Sequence, residues 1–162
     1  MTGIFDTLIT DRSLEDVERA AVLKQKILAG GVESLTDEEH KDYFSGLRGA
    51  YNYTDLNRVD AACEELYRIF SDLGIELPGF TEPYGQWTMA DIPSQSQMYS
   101  YLNNVKALKT AVASQTDLPD SMERLNFEKA NAIEQVLADA YAMIDVLTHA
   151  WFHSGEIDCG ET

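Results

Sequence analysis

Few side chains in this sequence have a type and spacing that could do chemistry. The three histidines are His40, His149 and His153. A di-iron site in a helical protein needs two E-x-x-H pairs and two further carboxylates turned inward. The residues three before the histidines are Asp37, Val146 and Ala150, so only the first pair has the right character, and it falls in a helix's first turn. His149 and His153 stand four apart on one helical face, as zinc ligands can. Ala150 occupies the position where a zinc peptidase carries its Glu, and the neighbouring Trp151 and Phe152 read as the end of a packed helix. Protonated imidazoles also suit the negative end of a helix dipole. Cys63 lies on an apolar stripe, where a thiol behaves as a small hydrophobe rather than a nucleophile. The sequence contains no G-x-S-x-G elbow, Walker loop or G-x-G-x-x-G turn, and Gly30-Gly31 reads as a helix stop. No catalytic residue, metal ligand or cofactor site is assigned, and the chain reads as a non-enzyme.

Two asparagines are more informative, because each lies in a helix that the sequence spells out twice. The first copy starts Tyr53-Thr54-Asp55-Leu56-Asn57-Arg58-Val59-Asp60 and the second Phe127-Glu128-Lys129-Ala130-Asn131-Ala132-Ile133-Glu134. A shift of 74 positions aligns Asn57 with Asn131, Asp60 with Glu134, Tyr67 with Tyr141, and Leu73 with Leu147. An Asn beside an apolar stripe costs free energy unless it is bonded. Asn57 and Asn131 are therefore expected in matching places, each tying down the backbone of the loop before its helix. A faint third copy starts at Asp16-Val17-Glu18-Arg19-Ala20.

The elements that must position these residues are helical. Ser13 with Asp16, Thr36 with Glu39, and Ser94 with Gln97 form capping boxes, and Thr54 and Asn126 read as further caps. The first helix shows Leu14, Val17, Ala21 and Ile27-Leu28 at helical spacing and stops at Gly30-Gly31. A short helix carries Tyr43, Phe44 and Leu47 and is stopped by Gly46 and Gly49. The helix 54–73 has the cleanest apolar period. A further helix presents Met98, Tyr101-Leu102, Val105, Leu108 and Val112, and the longest helix, 127–153, buries residues from Phe127 to Trp151. Between them, 74–93 holds Pro78, Pro83 and Pro93 with Phe80, Tyr84 and Trp87, a long loop expected to be packed down by its own aromatics.

The expected fold is all-α: an antiparallel bundle of four main helices plus one short helix. The 162 residues read as a single domain, 1–162, with an extended N-terminal arm (1–9) and an acidic tail (155–162) that order only against a neighbouring subunit. Ile133, Leu137, Ile144 and Leu147 are expected to face Val59, Cys63, Leu66 and Phe70 across the centre.

Composition narrows the function classes. At 44% hydrophobic residues the chain can bury a core, and a net charge of −16 repels phosphate backbones, so ordinary nucleic-acid binding is excluded. Two cysteines make no disulfide scaffold, and Cys159 lies in the tail with no role assigned. No apolar run approaches the ~20 residues that span a bilayer, and no secretory signal opens the chain, so a cytoplasmic product with no membrane partner is expected.

Four blocks, in order, resemble a known family. They are Thr10-Asp11-Arg12-Ser13, Tyr51 to Val59, Trp87-Thr88-Met89-Ala90-Asp91-Ile92-Pro93, and Trp151-Phe152-His153-Ser154-Gly155-Glu156-Ile157. The order is similar to a helical module of prophage structural proteins of Gram-positive bacteria, from the tail-fibre and baseplate region. That module has an Asp-Arg-Thr start, an Asn-x-x-Asp-Leu-Asn-Arg-Val helix, a Trp-x-x-x-Asp-Ile-Pro link and a Ser-Gly-Glu-Ile end. The sequence departs from it at Asp158-Cys159, where an aromatic and a small residue are expected, and its second motif copy has Ala132 where the first has Arg58. The resemblance implies a virion part or adaptor whose partners are other phage structural proteins, and itself as a homo-oligomer. It carries over no catalytic residue. The alternative is a small acidic protein-binding module of a host or prophage, DNA mimics included.

Overall fold

Capping boxes set where the helices begin. The computed structural model describes residues 3–154, with the side chains of 150–154 outside that description. Ser13, Thr36 and Ser94 each accept from the backbone three residues on, and Asp16, Glu39 and Gln97 reach back. They open α1 (Leu14–Gly30), α2 (Asp37–Ser45) and α4 (Gln95–Ala111). The cap of α3 (Tyr53–Asp72) is Asn52, with Asp55 reaching back to it, so Thr54 lies inside the helix instead of capping it. Asn126 caps α5 (Phe127–Ser154), its Oδ1 accepting from Lys129 N–H at 2.9 Å. Helices α3 and α4 end in one hydrogen-bond pattern: Ile75 N–H reaches Phe70 C=O and Gly74 N–H reaches Ser71 C=O, as Ser114 reaches Lys109 and Ala113 reaches Thr110. The described residues are all-helical, with no strand among them.

The inventory is the expected one, four main helices and a short one, but the arrangement differs. The main core is built by α3, α4 and α5, with Val59, Leu66, Phe70, Val105, Leu108, Ile133, Val136 and Leu137 buried together. Helix α1 stands beside this core: its buried residues are Ala20 and Leu23, which with Leu35 lie outside the main cluster. Leu14 and Leu28, expected on its inner face, are exposed, and the residues α1 buries are Ala20 and Leu23.

The antiparallel expectation is also corrected. After α3 the chain runs back along it, with Phe80 stacked on Tyr67, Gly85 bonded to Asp60, and Trp87 bonded to Asn57. Helix α4 therefore starts at the end where α3 starts. Residues 113–126 do the same beside α5, with Ser114 bonded to Asp139 and Asp117 to Lys129. Arg58 near the start of α3 consequently meets Glu134 near the start of α5, and all three core helices run the same way. The physical reason is length. A 20-residue helix such as α3 is about 30 Å long, and a return segment of similar residue count can extend past 60 Å. Leu77 and Trp87 are buried along the first return, so this loop is packed by its own side chains as expected.

The N-terminal arm is a third such segment. Instead of extending away, Ile4–Thr7 forms a 3-10 turn, and Ile4, Phe5 and Leu8 pack against the core of the same chain. The expected tail, with Cys159, and the expected burial of Trp151 lie outside the described residues.

Candidate functional site

The two motif helices each hold a strap of chain lying across them, and the two holds match group for group. On α3, the strap is residues 80–87. Phe80 stacks on Tyr67 with centroids 4.7 Å apart and planes 15° apart. Asp60 accepts Gly85 N–H at 3.0 Å and the Trp87 indole N–H at 2.8 Å. Asn57 clasps the Trp87 backbone twice, taking its N–H at 2.8 Å and giving its own amide N–H to the carbonyl at 2.8 Å.

On α5, the strap is the N-terminal segment. Phe5 stacks on Tyr141, centroids 4.1 Å apart and planes 15° apart. Glu134 accepts Ile9 N–H at 2.6 Å and the Arg12 guanidinium at 2.5 Å. Asn131 clasps the Arg12 backbone, taking its N–H at 3.0 Å and giving to its carbonyl at 2.9 Å. Asn57 and Asn131 thus sit in matching places and are fixed. The backbone they hold belongs to distant segments, not to the loop before each helix. Asn104 of α4 makes a third clasp, on Thr81, with both bonds at 2.8 Å.

Each lock follows from side-chain direction. Residues three apart on a helix point to one face, so Asn-x-x-acid presents an amide and a carboxylate side by side. The amide satisfies both polar groups of one peptide residue, and the acid takes that residue's side-chain donor. This lets Arg12 and Trp87, chemically unlike, fill equivalent positions: both present an N–H to a buried carboxylate.

The α5 lock extends into an ion cluster. Arg12 also donates to Asp55 at 2.7 Å, and Arg58 donates to Asp55 and, at 2.9 Å and 2.8 Å, to both oxygens of Glu134. Two cations and two anions cancel, which is what lets them sit together away from water. Burial works against the Arg12 guanidinium, yet Glu134 and Asp55 outweigh it and hold its pKa above the ordinary value. Arg58 is raised in the same way, Glu134 contributing most against desolvation. The Arg12 guanidinium lies 5.5 Å from the centre of the Tyr51 ring. Tyr51 and Tyr101 hydroxyls are 2.5 Å apart, and burial pushes both phenols far above their usual range. Among the described residues, Arg12 Nε is the one buried side-chain nitrogen or oxygen without a hydrogen-bond partner. The second motif copy has Ala132 in place of Arg58, and among the described residues no ion cluster forms at the α3 lock.

Asp60 differs from Glu134 in having no cation bonded to it among the described residues. Burial raises its pKa; Gly85 N–H and the Trp87 indole pull the other way without restoring it, and Glu64 adds to the rise. Cys63 is enclosed in the core, where burial pushes its thiol up. His149 is exposed, its Nδ1 2.7 Å from the Asp145 carbonyl oxygen, and His40 stacks on Phe44 at 6.0 Å. Among the described residues no three His, Cys, Asp or Glu come together as a metal site. Nor is any helix of these residues long and apolar enough to cross a membrane. A cleft of about 740 Å³ opens between the starts of α3 and α4 and residues 120–125, lined by Leu56, Met98, Leu102, Met122 and Leu125 with Lys106 at its side. Asp120, Ser121 and Glu123 add polar groups to the same lining.

No protein-family model, curated protein or solved structure matches the chain.

The sequence reading found the asparagines and the aligned acids, and it missed the straps. A signal was present: Phe5 and Phe80, and Arg12 and Trp87, each stand 75 positions apart. Only the first pair is conserved in type, so neither stands out until the groups they bond are seen.

Proposed function

We propose that this protein is a non-enzymatic structural or adaptor component of a phage tail, from the tail-fibre or baseplate region, working through protein–protein contacts. What supports the reading is the use made of the resembling blocks. Arg12 of the first, Asn52, Asp55, Asn57 and Arg58 of the second, and Trp87 of the third are engaged in caps, clasps and the ion cluster. Their polar groups hold the fold together and are not aimed at a substrate.

The observation that carries the reading is on α5. Among the described side chains after Ile144, Val146 is 61% and Leu147 38% exposed, with Met143 open beside them and Tyr141 covered on one face by Phe5. Apolar side chains left in water side by side mark a contact surface. Leu147, expected in the centre, belongs to this surface. Particles induced from a lysogen, purified on a density gradient and analysed by quantitative mass spectrometry, should contain the protein at a fixed copy number. Its absence from particles, with a complex in the soluble pool that weakens as salt rises, would favour a small acidic binding module instead.

A further inference from the structure

The strap on α3 belongs to the segment that follows α3. The strap on α5 is different: it comes from the far end of the chain, 119 residues away at Arg12–Asn131. Its bonded groups lie within residues 5–12 and meet α5 together with Asp55 and Tyr51, while the turn Ile4–Thr7 also packs along α3 and Asp11 pairs with Arg48. None of these contacts depends on strap and helix being one molecule. The strap leads straight into α1, whose buried residues Ala20 and Leu23, like Leu35 ahead of α2, lie outside the main core. One short connection, residues 46–52, joins α2 to α3. Gly46 lies there at a φ of 91°, and Gly49 presses on α1: a Cβ at 49 would come within 1.9 Å of the Asp16 carbonyl oxygen.

We propose that the N-terminal strap seats on α5 of a second copy of this chain, so that copies are joined by exchange of the block before residue 46. The partner is fixed by the lock's own chemistry. The surface of α5 offers an amide pair, a carboxylate and a tyrosine face at the spacing of Arg12, Ile9 and Phe5, and a second copy supplies those groups. Exchange remakes each intrachain contact between chains, so it costs only what the connection costs to open. It competes with a tether whose effective concentration is on the order of millimolar, so it rises with protein concentration. The inference rests on the straps alone and holds whatever larger structure the protein belongs to.

Two full-length variants test it, both carrying Cys159→Ser: one with Phe5→Cys and the other with Tyr141→Cys. A single chain with both changes must first form its intrachain disulfide, which establishes that the pair is within reach. Circular dichroism checks that each variant is folded. The two single variants are then mixed near ~1 mM and oxidised. The expected result is a disulfide-linked heterodimer well above that from a control pair with Glu38→Cys in place of Tyr141→Cys. Its share should rise with protein concentration and fall when the mixture is diluted before oxidation. A heterodimer no more abundant than the control, or one whose share does not change with concentration, overturns the proposal.

Discussion

The three asparagine clasps and the ion cluster make single residues decisive. Asn57→Ala, Asn104→Ala and Asn131→Ala each leave one N–H and one C=O without a partner, and each unmet buried group costs about 1–3 kcal/mol. Asn57→Asp keeps the acceptor but turns a carboxylate oxygen on the Trp87 carbonyl and adds a charge beside Asp60, so it should cost at least as much as Asn57→Ala; urea melts of this pair check the order. Arg12→Met strips Glu134 and Asp55 of one of two cations, and breaking a buried pair costs about 3–5 kcal/mol. Asp60 gives a pH signature. Its folded pKa lies above the ordinary 3.8, so the carboxylate costs stability at neutral pH. That cost lifts as pH falls through the folded pKa, and it is gone below the unfolded value. Asp60→Asn does not titrate, so the parent should gain on this variant between neutral pH and about pH 4. Denaturant melts at several pH values measure the gap, and a constant difference would contradict the assignment.

At the scale of the element, the sequence was read well where one helix decides its own form. The boxes at Ser13, Thr36 and Ser94 depend on residues three apart, and all three are found. The faces of α3 and α4 followed from period alone. Reading failed where a partner outside the element decides. The arm before Ser13 has too little pattern to fold by itself, and it is ordered by Glu134 and Asn131, far along the chain. Helix α1 has an apolar spacing that suggested one face, while its neighbour selects Ala20 and Leu23 instead. Helix ends also carry a testable strain. Helices α3 and α4 share one terminal pattern, but the left-handed residue is Gly74 in the first and Ala113, at φ 50°, in the second. A left-handed residue bearing a Cβ costs about 1–2 kcal/mol, part of which glycine returns as chain entropy. Ala113→Gly should therefore raise stability by up to ~1 kcal/mol, and Gly74→Ala should lower it by a similar amount. Thermal melts of the two variants should move in opposite directions.

For the whole molecule, the long helices meet where the two clearest stripes predicted. Val59, Cys63, Leu66 and Phe70 are buried with Ile133, Leu137 and Ile144, and Leu147 alone falls outside. Leu66→Ala or Leu137→Ala should cost about 2–5 kcal/mol through lost burial and the cavity left behind. Glu38→Gln, at an exposed position, should change stability by less than ~0.5 kcal/mol, with relief of excess negative charge favouring a gain. A melt series in which Glu38→Gln fell furthest would reverse inside and outside. The helix directions were not legible in the same way, because periodicity is blind to direction. Only the length of 73–94 and 112–126 hinted that the chain had room to return before each new helix.

The two straps make the point at which this chain is cut open a matter of choice. The N-terminal strap lies on α5 as the strap at 80–87 lies on α3, and the latter simply follows its helix. If the old ends were joined by a flexible linker and new ends were opened at Pro78-Gly79, the N-terminal strap would follow α5 in just that way. Both residues are exposed there. Such a circular permutant should fold with both locks intact and with the near-ultraviolet dichroism of a buried Trp87 preserved. Its loss would mean that the order of the halves, and not only their contacts, is needed to reach the fold.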